Sequence, residues 1–260
     1  MLFCMRVGEH ANTRPYQRPP ADRYFLPSEQ KRAFRKGPIL RPALEQDHWR
    51  FNEQRHDDIY VVGDVHGCID ALQTLWDRLS PSGDDLVVFV GDLVRKGPAS
   101  NDVVEFVVQN DHAVSVRGNN EAKILNGQVD PDPFAPVVNA IESFPLVISW
   151  GDAMVVHGGV DPRQPLPEHD QTQLLETRSI PPGNGYDGPF WFEQYDELPR
   201  VFFGHTVLEQ PFVSSHAVGL DTGCVYGGEL TAYDYRANEI INISSEHTYE
   251  QRPNEKFLNV

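Results

Sequence analysis

Three short apolar runs, each closing on a glycine and a polar cluster, limit what this chain can become more than any other feature of its sequence. Ile59-Tyr60-Val61-Val62 leads into Gly63-Asp64-Val65-His66-Gly67, and Leu86-Val87-Val88-Phe89-Val90 into Gly91-Asp92. Ala113-Val114-Ser115-Val116 leads into Arg117-Gly118-Asn119-Asn120-Glu121. Runs this short, without alternation and rich in β-branched residues, predict strands buried on both faces. Between them residues 68–79 place Leu72, Leu75, Trp76 and Leu79 on one helical face, and residues 100–108 carry a second helical pattern. Strand, helix, strand, helix, strand predicts an α/β domain. Further strands are expected at 146–150, 153–156, 201–203, 217–220, 230–235 and 239–243, without long helices between them.

The polar clusters are evenly spaced: Asp64 to Asp92 is 28 positions and Asp92 to Asn119 is 27. In an open α/β sheet the carboxyl ends of the strands share one crevice, so this spacing predicts that the three side chains meet. Two histidines end further β-like runs, His157 after Met154-Val155-Val156 and His205 after Val201-Phe202-Phe203-Gly204. Carboxylate, imidazole and amide oxygen together suit hard-to-borderline cations. One carboxylate can bridge two such ions about 3.5–4 Å apart, with a hydroxide held between them. Asp92, between the flanking clusters, is the expected bridge. A single Asp after a strand is ordinarily a helix cap, and a single His is ordinarily a satisfied surface or core group. Six such residues, each at a strand end beside a glycine, exceed what capping explains.

The 260 residues carry a net charge of −16, which argues against general affinity for nucleic acid or an anionic membrane. No apolar run approaches the roughly 20 residues of a membrane helix, and Met1 to Met5 is too short for a secretory signal. Three cysteines, Cys4, Cys68 and Cys224, make neither a disulfide framework nor a zinc cluster. A cytoplasmic protein with reduced thiols is expected, and its oligomeric state stays open. Residues 1–58 hold eleven Lys or Arg against eight Asp or Glu, about +3, which leaves about −19 on the other 202. With Pro15, Pro19, Pro20, Pro27, Pro38 and Pro42 and no sustained apolar period, this segment is expected to be an extended arm, and 59–260 the folded domain. The arm either docks on the acidic body or a partner, or is an extension without packed structure. Composition favours the second.

The motifs Gly63-Asp64-Val65-His66-Gly67, Gly91-Asp92-Leu93-Val94, Arg117-Gly118-Asn119-Asn120-Glu121, His157-Gly158-Gly159 and Gly204-His205-Thr206 resemble, in order and spacing, the phosphoprotein-phosphatase branch of the calcineurin-like metallophosphoesterases. Gly97-Pro98 and the stretch from Leu220 to Ala232 are most similar to symmetrical bis(5'-nucleosyl)-tetraphosphatases and their relatives. The resemblance covers about residues 59–236. It implies a four-layer fold, two packed mixed β-sheets flanked by helices. It implies two divalent metal ions, manganese, iron or zinc. Asp64, His66 and Asp92 would hold one, and Asp92, Asn119, His157 and His205 the other. The substrate would be a small-molecule nucleotide, first a dinucleoside polyphosphate, or else a phosphoprotein. Arg117 matches a phosphate-facing position, and Lys96 stands where the family usually has Arg.

Two departures bear on the chemistry. Asn120 replaces the His usually assigned as the acid that protonates the leaving oxygen, and Arg95 replaces its Asp partner. Arg95 is then either a substrate contact or an exposed loop charge. General acid catalysis contributes about 10²–10⁴-fold, and a nucleotide phosphate needs that proton far less than a serine alkoxide. Anhydrides or activated esters are therefore the expected substrates. A serine/threonine protein phosphatase is the alternative, and a metal-binding regulatory module with impaired catalysis is the second. Between His157 and His205, Phe190-Trp191-Phe192 and Tyr195 either stack on a nucleobase or pack a cap onto the sheet, the second being favoured. Arg163 and Arg178 lie in the same stretch. Asp221 either orients a ligating His or caps a turn.

Overall fold

A computed structural model describes residues 42–251. Eleven strands are described: β1 (His48–Phe51), β2 (Ile59–Val62), β3 (Leu86–Phe89), β4 (Ala113–Ser115), β5 (Val147–Trp150), β6 (Ala153–Val155), β7 (Arg200–Phe203), β8 (Phe212–Val213), β9 (Ala217–Gly219), β10 (Glu229–Asp234) and β11 (Glu239–Ser244). They form a six-stranded sheet ordered β1-β5-β6-β7-β9-β8 and a five-stranded sheet ordered β11-β10-β2-β3-β4. Both are mixed. Parallel trios β2-β3-β4 and β6-β7-β9 are flanked by antiparallel neighbours. The helices are α1 (Ile69–Leu79), α2 (Ser100–Gln109), α3 (Asn119–Leu125), α4 (Val138–Ser143), α5 (Gln171–Glu176) and α6 (Trp191–Gln194).

The period-2 geometry of strands explains why these runs lack alternation. Val61 and Val88 point into a core shared by the two sheets, with Trp150, Phe202 and Tyr233. Their neighbours Val62, Val87 and Phe89 point to the opposite face, where Leu72, Leu75, Val103 and Val107 of α1 and α2 cover them. The other sheet repeats the pattern, with Met154, Val156, Val201 and Phe203 packed beneath Leu174, Trp191 and Phe192. Helices, sheet, sheet and helical cap are the four layers that the resemblance implies. The strand-to-helix stretches expected in the first half are present, and α1 buries Leu72, Leu75 and Leu79 as its spacing predicts.

The boundary drawn at residue 58 is corrected. Within the described part of that segment, β1 pairs in parallel with β5, His48 opposite Val147 through Phe51 opposite Trp150. Trp49 and Phe51 are buried, which stabilises by about 1.5–3 kcal/mol per side chain. Residues 48–51 therefore belong to the packed domain. The composition of the whole segment masked them, because its prolines and charges are averaged with four core-forming residues. The part of the expected arm that precedes residue 42 lies outside the described residues.

β1 also buries His48, whose Nε2 meets Ser149 Oγ at 2.8 Å. Burial, helped by Arg50, pulls its pKa from 6.5 to about 3. The folded state holds this ring neutral while the unfolded chain protonates near 6.5, so its contribution is intact above that pH and erodes as pH falls towards 3. Between pH 7 and pH 5 the wild type is expected to lose about 2 kcal/mol through this group alone. The His48→Gln variant, which keeps an amide donor for Ser149, should show a correspondingly smaller acid loss in denaturant titrations. An identical loss in both proteins would refute the assignment.

Candidate metal centre

Five strands deliver the candidate donors at their carboxyl ends. Asp64 and His66 follow β2, Asp92 follows β3, Asn119 begins α3 after β4, His157 follows β6 and His205 follows β7. The structure brings all six together, and all are buried. Asp92 is their centre, its two oxygens facing different neighbours. Oδ2 lies 3.5 Å from His66 Nε2, which is itself 3.7 Å from Asp64 Oδ2. Oδ1 lies 3.3 Å from His157 Nε2, which is 3.2 Å from Asn119 Oδ1. One ligand atom each from Asp64, His66 and Asp92 falls within 4.8 Å of the others. The His205 ring is 5.0 Å from that of His157, and its backbone N–H donates to both oxygens of Asp64, at 3.2 and 3.3 Å.

Backbone contacts set the imidazole tautomers. His66 Nδ1 donates to Val94 O at 3.0 Å and His157 Nδ1 to Val90 O at 2.8 Å. Each ring therefore turns an Nε2 lone pair towards the carboxylates. The Nε2 lone pairs of His66 and His157 face Asp92 oxygens, and Asn119 Oδ1 faces His157 Nε2, so acceptor opposes acceptor, which a cation or a proton on His157 resolves. His205 Nε2 is buried without a hydrogen-bond partner among the described residues. The donor set thus fits divalent cations.

Charge reinforces the point. Burial, with Asp221 and Asp92 nearby, holds Asp64 well above the usual carboxylate range. Burial opposes ionisation of Asp92 as well, but His157, His66 and Lys96 outweigh it and hold the group well below its usual value. Burial, with Lys96, lowers His66 to about 3, and burial with Arg178 lowers His205. For His157 the pull of Asp92 exceeds the opposing effect of burial, and its pKa rises. Lys96 Nζ donates to His66 Nε2 at 2.7 Å and lies 5.2 Å from the centre of the Tyr226 ring.

The loops that carry these groups are strained and tightly fitted. His66, Asp92 and His205 have φ of 48°, 51° and 65°, and Arg95 and Lys96 have 70° and 67°. Only Ser80 and Asn238 among the other described non-glycine residues have positive φ. A left-handed L-residue costs about 1–2 kcal/mol, so the surrounding structure enforces these conformations. Glu121 does much of that. Its buried carboxylate accepts the backbone N–H groups of Asp92, Leu93, Val94 and Gly118, at 2.8 to 3.2 Å. Space also matters. A Cβ on Gly118 would stand 2.2 Å from Asp92 Oδ1, and one on Gly204 1.9 Å from Asp64 Oδ1.

Of the expected phosphate contacts, Lys96 reaches the cluster directly and Arg95 reaches it through Asn120. Arg117 does not fit its expected role. Its Nη2 donates to Glu142 O at 2.7 Å and to Phe144 O at 2.9 Å, clamping the end of α4. The aromatic stretch follows the favoured packing alternative and not the stacking one: Phe190, Trp191, Phe192 and Tyr195 are all buried in the cap. Sequence reasoning underrated two groups. Asp221 is a further buried carboxylate beside Asp64, and it also caps its own turn by accepting Gly223 N–H at 3.1 Å. Arg178 places Nη2 3.1 Å from His205 Nδ1 and its guanidinium 5.0 Å from the Tyr186 ring centre. Its position 27 residues before His205 carried no signal of that meeting.

Comparison with known proteins agrees with the geometry. Residues 58–209 match the family model of the calcineurin-like phosphoesterases. The asymmetrical bis(5'-nucleosyl)-tetraphosphatase of Bacillus velezensis is 25% identical over 73% of this chain and 94% of its own. The symmetrical enzyme of Vibrio cholerae serotype O1 is 26% identical over 66% and 93%. The crystal structure of a provisionally named diadenosine tetraphosphatase superimposes with a TM-score of 0.66 at 28% identity, covering 76% of this chain and 97% of that one. The matched stretch spans all six clustered donors and more than half of the sequence, so the protein belongs to the calcineurin-like phosphoesterases, hydrolases of phosphate esters and anhydrides.

Proposed function

We propose that the protein hydrolyses the phosphoanhydride of a dinucleoside polyphosphate or related nucleotide, using two divalent cations. The observation that carries the metal part is the division of donors about Asp92. Asp64 and His66 gather at Oδ2, and His157 and Asn119 at Oδ1, with His205 beside them. Bound there, divalent ions supply Lewis acidity towards phosphoryl oxygens and towards water. Asp92 remains ionised between the two groups. Lys96 and Arg178 bring positive charge to opposite flanks, at His66 and His205, where the oxygens of a transferred phosphoryl group would need it.

The substrate part rests on Asn120. Its side-chain amide lies against Asp92, and an amide N–H is far too weakly acidic to protonate a leaving oxygen. A leaving group must then depart as a stable anion, which a nucleotide phosphate is and a serine alkoxide is not. The curated relatives named above act on dinucleoside tetraphosphates in their names, in both symmetrical and asymmetrical forms. Two free, buried thiols, Cys68 and Cys224, suit a reducing cytoplasm, and no helix among the described residues is long and apolar enough to cross a membrane.

The test is a panel of diadenosine tetraphosphate, ATP, p-nitrophenyl phosphate and a phosphoserine peptide, with manganese and with chelator. The tetraphosphate is expected to exceed the peptide in kcat/KM by at least about 10²-fold, the lower end of what a missing general acid costs an alkoxide. Chelator is expected to abolish turnover throughout. The reverse order of substrates would overturn the proposal.

A further inference from the structure

The bond between Arg95 and Asn120 goes beyond the loss of an acid. Arg95 Nη1 donates to Asn120 Oδ1 at 2.5 Å across 25 positions of sequence. Asn120 in turn spends its Nδ2 hydrogens on Asp92 Oδ2 and on Asn119 Oδ1, the second at 3.1 Å, and its backbone N–H meets Asp92 Oδ1 at 2.9 Å. Every polar group of that side chain is therefore engaged by protein, and Asn120 is buried. It is a positioning residue that ties Arg95 to the bridging carboxylate.

Arg95 itself is half-buried at the rim. Its left-handed backbone, φ 70°, is fixed by an N–H bond to Ser100 Oγ at 2.8 Å. One guanidinium N–H is used on Asn120, and the remaining ones have no partner among the described residues. The neighbouring Lys96 reaches His66, which faces the same Asp92 oxygen that Asn120 contacts. Two adjacent cations thus bracket one half of the cluster in a chain of net charge −16. Lys96 is directly at the cluster, while Arg95 stands one side chain further out. A guanidinium fork held at that remove matches two oxygens of a phosphate.

We infer that Arg95, held by Asn120, binds the phosphate that departs, so that the site selects substrates whose leaving group is itself a phosphate. This rests on the anhydride reading above and names the part of the substrate that it recognises. Water's oxygen bonds to phosphorus as the P–O bond to the departing phosphate breaks. The electron pair leaves on that phosphate's oxygen, and the proton of the water passes to solvent. Arg95 neutralises the charge that accumulates there, which no proton covers.

The test compares kcat/KM for diadenosine tetraphosphate and p-nitrophenyl phosphate in wild type, Arg95→Gln, Arg95→Lys and Arg95→Ala. Gln keeps an amide donor for Asn120 Oδ1 but removes the charge. With Gln, the tetraphosphate is expected to lose about 10²-fold and the aryl ester, whose departing group is a phenolate and not a phosphate, about tenfold less than that. Lys is expected to recover part of the difference, and Ala to match or exceed the loss seen with Gln. Equal losses on both substrates, with the wild-type preference for the tetraphosphate intact, would overturn the inference and leave Arg95 a mere support for Asn120. Should Arg95→Ala fail to fold, the Gln and Lys ratios decide alone. A wild type that prefers the aryl ester or a peptide would instead overturn the anhydride reading, and this inference with it.

Discussion

Asp92→Asn is expected to lower turnover by at least about 10³-fold, to reduce bound metal to one equivalent or less, and to leave the circular dichroism spectrum unchanged. The substitution keeps the shape of the side chain and an oxygen for Asn120 N–H. It removes the negative charge that raises the pKa values of His157 and Lys96. It also sets a second amide N–H against the Nδ2 of Asn120 or against His157, depending on rotamer, where the wild type has acceptors. No other donor in the cluster faces both groups, so no neighbour can substitute for it. Elemental analysis and steady-state rates are the measurements. A variant that kept two metal equivalents and a tenth of its activity would remove Asp92 from the bridging position.

Trp191→Ala is expected to destabilise the fold by about 3–5 kcal/mol, the range for deleting a buried aromatic. In a domain of this size that shifts Tm by roughly 10 °C. Trp191 is 0% exposed and packs edge-on to Phe203 at 4.8 Å and to Phe192 at 5.9 Å. Its indole lies against Gly159, where an added Cβ would meet Nε1 at 2.1 Å. The ring therefore joins the cap to the turn that follows His157. KM for nucleotides in the folded fraction should change less than about threefold, since the ring is not at the surface. Unchanged Tm with a tenfold rise in KM would restore the base-stacking role that the burial argues against.

How far the sequence disclosed this arrangement follows from what each signal depends on. The strands β2 and β3 were legible because both of their faces are covered, so every residue had to be apolar. The ligand cluster was legible because carboxyl-end loops of parallel strands have a common edge, and even spacing counts turns of the same supersecondary unit. β1 was hidden because His48 and Arg50 break the apolar run, and the partner that makes a buried His48 tolerable, Ser149, is 101 positions away. α3 was hidden for a related reason. Asn119, Asn120 and Glu121 are buried by the centre they serve, so the helix shows no amphipathic face. The phosphate-facing role that the resemblance implies for Arg117 is not met because a matching motif position does not fix which way a long side chain leaves the backbone. Its guanidinium found the carbonyls of Glu142 and Phe144 instead. Arg95 and Asn120 were each visible as departures, but their bond depends on side-chain direction, which spacing does not encode.

The left-handed residues around the cluster have a bearing on how the molecule can be improved. Glycine at positions 95 and 96 would relax the chain at no steric expense, so a campaign that screens only for heat resistance would drift there first. Variants ranked best by such a screen would be poorest in the cations beside the carboxylates. Robustness and chemistry compete for the same few torsion angles, and selection for both has to be imposed at once.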